Sequence, residues 1–266
     1  NKKLRLMFFN KEIISKKDHE IWFCNSMKNK DICIFIGEVN NIKIGVCRFN
    51  TLVSKNNAEI SISMNPKFIG KGYAKEFLKK SISIYKKYSD IELIARAKNE
   101  NEVSNKFFKS MGFFKIRETK NFSTYSLPKQ TLSFKKIHIS DADVLYELLK
   151  SRKHYISHIN LPSFADHKSF VKNHPYSKWY LILKEKPIGT FYIQKNNSIG
   201  INVVNPSTEI IQQVLYYIKS KFFLKTPKPS LVPPYFYINV ASSNKDMQKI
   251  MESLDLVQIQ TSYKFN

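Results

Sequence analysis

A chain of 266 residues is long for one hydrophobic core and sufficient for two, so two domains are expected. With 42% hydrophobic and 24% charged residues, and no apolar run near the ~20 residues of a membrane helix, the composition predicts a cytoplasmic protein without a membrane span. The net charge of +23 favours acidic partners, but lysine is spread along the whole chain, and no basic helix, aromatic RNA motif or zinc finger argues for nucleic acid.

Residues 15–30 read as a helix, with Ser15 as N-cap and Ile21, Trp22 and Phe23 marking its apolar face. Two strands follow, Ile32–Val39 and Ile42–Phe49, joined by the hairpin pair Asn40-Asn41. Residues 58–64 form a further strand, and the helix after it carries Ala74, Phe77, Leu78, Ile82 and Tyr85 on one face. Glu92–Ala97 is a strand, a helix with Phe107, Phe108 and Met111 ends at Gly112, and residues 121–127 form the last strand. Pro128 to Ser133 reads as a linker. Cys24, Cys33 and Cys47 have neither disulfide-framework nor zinc spacing, which predicts free thiols. His154, His158, His167 and His174 have no carboxylate or cysteine at ligand spacing, so no metal is expected.

The second half repeats the first. Asp18-His19 recurs as Asp166-His167, and Ile44-Gly45 as Ile188-Gly189. Asn56-Asn57 with Asn65-Pro66 recurs at identical spacing as Asn196-Asn197 with Asn205-Pro206, and Asn101 to Phe113 corresponds to Asn244 to Leu256. The domains are therefore expected at 1–128 and 132–266. The second copy holds a strand (132–139) and a helix (141–150) ahead of its Asp-His pair; the first is too short there and is expected to lack its first strand, as a piece of a longer polypeptide could.

Only seven glycines occur in the chain, and two of them stand two apart in Lys67-Phe68-Ile69-Gly70-Lys71-Gly72-Tyr73-Ala74, between a strand and a helix. Bare backbone N–H groups at a helix start make an anion site. This stretch resembles the Arg/Gln-x-x-Gly-x-Gly/Ala signature of the GCN5-related N-acetyltransferases (GNAT), with lysine first and Ile69 where relatives often carry arginine. Asn101-x-x-Ser104 and Lys109 to Phe113 are similar to that family's final coenzyme-binding helix. The resemblance covers residues 5–127 well and 132–266 more faintly. Within the family, the Asp18-His19-x-x-Trp22-Phe23 region looks most like acetyltransferases of bacterial amino-sugar pathways.

The resemblance implies a mixed α/β (α+β) fold of two tandem GNAT-like domains, each a twisted mixed sheet flanked by helices, with acetyl-CoA as co-substrate. It places the pyrophosphate on the amides of Ile69, Gly70, Lys71, Gly72, Tyr73 and Ala74, and the pantetheine arm along Met64 and the residues before it. Asn101 and Asn105 are expected to hydrogen-bond the coenzyme, with helix capping by Asn101 as the alternative. Phe108 stands where the family often has a tyrosine proton donor. An amine acceptor of lysine type is only about one part in 10³ neutral at pH 7, so a base is needed, and Glu59 on the strand before the loop is the expected one. His19 and Trp22 would lie on the acceptor side. In the second copy the glycines are replaced by Ser207-Thr208-Glu209, with Ile199 in the place of Glu59 and Asp255 in that of Gly112. That copy is expected to be non-catalytic, packing on the first, shaping its acceptor cleft or substituting for a dimer partner. The acceptor implied is a primary amine of a nucleotide-linked amino sugar; a protein N-terminus, polyamine or antibiotic amine are the alternatives, as is a non-catalytic acyl-CoA-binding module.

Overall fold

The computed structural model describes residues 14–154 and 160–262; His158 lies outside them. It divides into two units, 1–129 and 130–266. In the first, α1 (Lys16–Lys28) opens at Ser15, whose Oγ accepts from the Asp18 amide at 3.1 Å and donates to the Asp18 carboxylate at 2.6 Å. Strands β1 (Ile32–Val39) and β2 (Ile42–Leu52) form a hairpin whose turn residues Asn40 and Asn41 have φ of 48° and 61°, as a type I′ turn requires. There follow β3 (Asn57–Met64), α2 (Tyr73–Tyr85), β4 (Glu92–Lys98), α3 (Glu102–Ser110), β5 (Phe114–Glu118) and β6 (Phe122–Leu127). The six strands form one mixed sheet in the order β1-β2-β3-β4-β6-β5. Strand β5 was not expected from sequence: it is short, exposed over half its length and bulged against β6.

The core lies on the sheet face under α2 and α3. Phe49 of β2 stacks on Tyr85 of α2 at 4.2 Å, and the Tyr85 hydroxyl is 2.9 Å from Thr51 Oγ1. Ala58 and Ile60 of β3 and Leu93 and Ala95 of β4 are buried on the same face. The opposite face carries α1, but Ile21, Trp22 and Phe23 remain 40–51% exposed, so the apolar face expected there does not bury itself within the described residues. Those three are consecutive and span too wide an arc of the helix to share one buried stripe.

The second unit runs β7 (Ser133–Lys136), α4 (Ala142–Lys150), α5 (Phe164–Asn173), β8 (Lys178–Lys184), β9 (Lys186–Ile193), β10 (Ser198–Val203), α6 (Thr208–Lys221), β11 (Tyr237–Ile238) and α7 (Lys245–Ser253). Its sheet has the order β11-β10-β9-β8-β7. Buried Gln213 of α6 accepts from the Thr131 and Leu132 amides at 2.7 and 3.0 Å, fastening the unit's first residues to that helix.

Several local devices recur in the two units. Ser163 caps α5 through Asp166 with the same two distances as Ser15 and Asp18. Asn101 caps α3 and Asn244 caps α7, each accepting an amide three residues on at 3.1 Å. Gly112 and Asp255 both leave their helix at positive φ, 87° and 60°. Strand β1 is the counterpart of β8, and among the described residues nothing pairs on its outer edge where β7 pairs with β8.

Candidate active site

Strands β3 and β4 pair in parallel only from Asn57 to Ile60. Beyond Ile60, β4 turns to β6 while Ser61–Met64 keep only β2, so one edge of β3 is left without a strand partner. The chain then makes a tight turn at Asn65-Pro66, where Asn65 Oδ1 accepts the Lys67 amide at 3.1 Å and its Nδ2 donates to the Lys43 carbonyl. It enters α2 through Gly70 and Gly72 at φ 79° and 84°, values that a side chain would strain. A Cβ on either glycine would meet nothing within 4 Å, so their backbone borders open space. The N-cap of α2 is Gly72 itself, and no side chain caps its first amides. A free strand edge, two open glycines and an uncapped helix start together offer N–H groups to an extended, anionic ligand, which is what a coenzyme A site demands. Ile69 is exposed, and Lys71 sits over the Phe68 ring at 5.4 Å, with Tyr73 edge-on to the same ring.

Glu59 projects from the sheet face opposite α2, and Arg96, two residues past its β4 partner Ile94, reaches across to it. The guanidinium holds both oxygens: Nε and Nη2 to Oε1 at 2.9 and 2.7 Å, and Nη2 to Oε2 at 2.8 Å. Arg96 was missed by sequence reasoning; its signal was an isolated arginine in the otherwise apolar Leu93–Ala97. On the same face Arg48, paired in register with Ser61, lies 5.4 Å from the Trp22 ring, which is 5.6 Å from His19. Glu59, Arg96, Arg48, Trp22 and His19 thus share the α1 side of the sheet.

The remaining expected residues have structural partners. Asn101 caps α3. Asn105 spends its amide on the Lys98 and Asn101 carbonyls, each at 2.8 Å, and its Oδ1 on the Tyr125 hydroxyl at 2.7 Å. Phe108 is buried against Phe113 and Tyr125, so it fills the core beneath α3. Met64, half-buried at the end of β3, pairs with Gly45.

The second unit requires a correction of register. Ile199 is buried like Ile60, and Asn239, next along from its β11 partner Ile238, donates its amide to Ile199 O as a parallel ladder would. Val204 donates to the Ile188 carbonyl as Asn65 does to that of Ile44. By these pairings Ile199 matches Ile60, and Ser198 takes the place of Glu59; the Asn-Pro spacing had set the copies one residue out. One residue of slip moves a strand side chain to the other face. The same register puts Asn239 where Arg96 stands, and Asn239 Nδ2 donates to Ser198 Oγ at 2.8 Å, a neutral pair replacing an ionic one. Tyr192 takes the place of Arg48, since it pairs with Gly200 as Arg48 pairs with Ser61. The connection into the helix is also four residues shorter, spanning positions 204–207 against 65–72. The N-terminus of α6 is filled by Ser207, whose Oγ accepts the Ile210 amide, with Glu209 in its first turn.

The family model described as the acetyltransferase (GNAT) domain matches residues 4–114. No curated protein matches the sequence. Among solved structures, the chain is similar to the Campylobacter jejuni N-acetyltransferase PseH in complex with acetyl coenzyme A (17% identity, 48% of this chain and 92% of that one, TM-score 0.39). It is also similar to the Vibrio cholerae spermidine N-acetyltransferase in complex with CoA and spermine (14%, 48% and 84%, 0.43) and to a domain from Methanocaldococcus jannaschii (23%, 48% and 85%, 0.42).

Proposed function

We propose that the first unit transfers acetyl from acetyl-CoA to the primary amine of a nucleotide-linked amino sugar, and that the second is a degenerate, non-catalytic copy. The observation that carries the reading is the splay of β3 from β4 opening onto the uncapped glycine start of α2, in the stretch that the family model matches. Bound acetyl-CoA supplies the activated thioester. The amides from Ile69 to Ala74 hold its pyrophosphate, and the free edge of Ser61–Met64 pairs with the pantetheine amides.

Glu59 takes the proton from the acceptor ammonium, directly or through water. Arg96 holds that carboxylate in one orientation, so proton transfer competes with the ion pair. Arg48 beside Trp22 offers a cation and an aromatic face on the same side of the sheet, which suits a diphosphate-linked sugar ring. Asn101 caps α3 through its Oδ1, and Asn105 ties that helix to the end of β4 and to Tyr125 of β6. With its three cysteines free and no described helix long and apolar enough to cross a membrane, we place the reaction in the cytoplasm.

The test is a thiol-release assay with acetyl-CoA against nucleotide amino sugars, free amino sugars, polyamines and peptides. Release should be fastest with the nucleotide amino sugar. Faster release with a polyamine or peptide would overturn the acceptor, and stoichiometric CoA binding without release on the whole panel would overturn catalysis.

A further inference from the structure

The second unit contains a cavity of about 690 Å³, within the size range of small-molecule sites. Strands β10 and β11 pair only at Ser198 and Ile199, and beyond them Gly200–Val203 keep only β9, so the two strands part as β3 and β4 do. The cavity opens in that gap, and α4, α5 and α7 supply much of the rest of its wall. Much of the wall is apolar, with Leu145 and Leu148 from α4, Ile201 from β10 and Met247 and Met251 from α7. A pyrophosphate finds no cradle here, because the connection into α6 is shortened and Ser207 occupies the helix start.

One cation stands half-buried in this wall. Arg152, just past α4, has no carboxylate within ion-pairing distance among the described residues. Its charge reaches the hydroxyls of two other lining residues: burial raises the phenols of Tyr176, to about 12, and of Tyr192, and Arg152 pulls each back down. The two rings stack at 4.0 Å. Tyr192 lies across Gly200, its register partner on β10, where an added Cβ would collide with the ring. Neither hydroxyl has a hydrogen-bond partner among the described residues, and neither is sealed in the packing as Trp179 Nε1 and His167 Nε2 are. Arg152 and the two phenols thus gather hydrogen-bond donors and one positive charge in one part of the wall. The two carboxylates of the wall do not act on that group. Asp166 is exposed and bound to the Ser163 cap, and Asp246 is exposed in the first turn of α7. Lys153, the other cation, is exposed to solvent. A half-buried guanidinium without a counter-ion favours an anion beside it, and phenol O–H groups favour an oxygen acceptor. A carboxylate satisfies both, and a single half-buried cation suits a monoanion. The apolar remainder of the cavity suits an uncharged hydrocarbon body.

We propose that this cavity binds a small monocarboxylate with an apolar body, its carboxylate held by Arg152 and the Tyr176–Tyr192 pair. The inference concerns the second unit alone and does not depend on which amine the first unit acetylates. Octanoate, octanol and octylamine share one body and differ in head group, so calorimetric titration of the full chain with each separates charge from apolar burial. Octanoate should bind saturably at one site per chain, octanol about tenfold or more weaker, and octylamine weaker still. Arg152→Gln should cost octanoate about tenfold or more in affinity and leave octanol within about twofold. Tyr192→Phe should cost octanoate about two- to tenfold, the loss of one neutral donor. Both side chains are only partly buried, so both variants should fold, which thermal melts check. Saturating CoA should leave octanoate affinity unchanged. The proposal is overturned by an absence of saturable octanoate binding, by octanol or octylamine binding as tightly as octanoate, by displacement of octanoate with CoA or inorganic phosphate, or by undiminished octanoate affinity in either folded variant.

Discussion

Replacing Gly70 by alanine separates what the loop does for folding from what it does for the coenzyme. At φ 79° an L-residue pays about 1–2 kcal/mol for the left-handed conformation, and the stiffer unfolded chain returns about 0.4–1 kcal/mol. There is no packing penalty to add, because the new Cβ would meet nothing within 4 Å. The net cost is about 1 kcal/mol, which should lower the melting temperature by roughly 3–5 °C. Binding should suffer far more. The methyl group stands on backbone that must approach the pyrophosphate, and losing two charge-assisted hydrogen bonds of about 1.5–3 kcal/mol each costs roughly a hundredfold or more in affinity. Thermal melts and calorimetric titration with CoA on the same preparation measure both effects. A folded Gly70→Ala protein that binds CoA within about threefold of the parent would refute the assignment of this loop to the pyrophosphate.

Glu59→Gln should leave CoA affinity unchanged and slow kcat by about 10²-fold or more, the usual worth of a general base, read by thiol release; unchanged turnover would remove Glu59 as the base. Tyr125→Phe should cost about 1 kcal/mol in denaturant unfolding, since it removes the hydrogen bond from the buried tyrosine to half-buried Asn105. Burial pushes the Cys47 thiol up to about 12 from 9.0, so the folded state holds that proton after the unfolded chain has released it. Stability should therefore be unaffected by Cys47 below pH 9 and fall between pH 9 and 12 by about 4 kcal/mol at most. Cys47→Ala, followed by urea unfolding across that range, should flatten the fall.

Much of the first unit was legible because its signals are local. Ser15 bonds its own helix start, Asn40-Asn41 adopt the positive φ of a tight hairpin, and the glycine pair lies where strand gives way to helix. What was not legible depends on pairing across strands. The Glu59–Arg96 ion pair joins residues 37 apart, and only the parallel register of β3 and β4 brings them to one face. Asn105 looked like a coenzyme contact by position, but its partners are set by where β4 ends and β6 lies. The equivalence of Glu59 with Ser198 rather than Ile199 is of the same kind: spacing in sequence cannot register a strand whose flanking loop has lost residues.

That shortened loop also predicts what cannot be regained in the second unit. If substitution alone had disabled it, Ser207→Gly with Glu209→Gln should restore an anion site, since the first change uncaps α6 and the second removes the repelling charge. The geometry says otherwise. Positions 65–72 give the first unit enough chain for two glycine turns between strand and helix, whereas 204–207 lead straight from strand to cap. The freed amides would face a connection too short to fold around a pyrophosphate. In a Gly70→Ala background, which silences the first unit, the double variant should fold with a loss of only a few tenths of a kcal/mol at the cap and should still not bind CoA. Calorimetry showing regained CoA binding would mean that charge and capping alone, and not the lost length of the loop, separate the two copies.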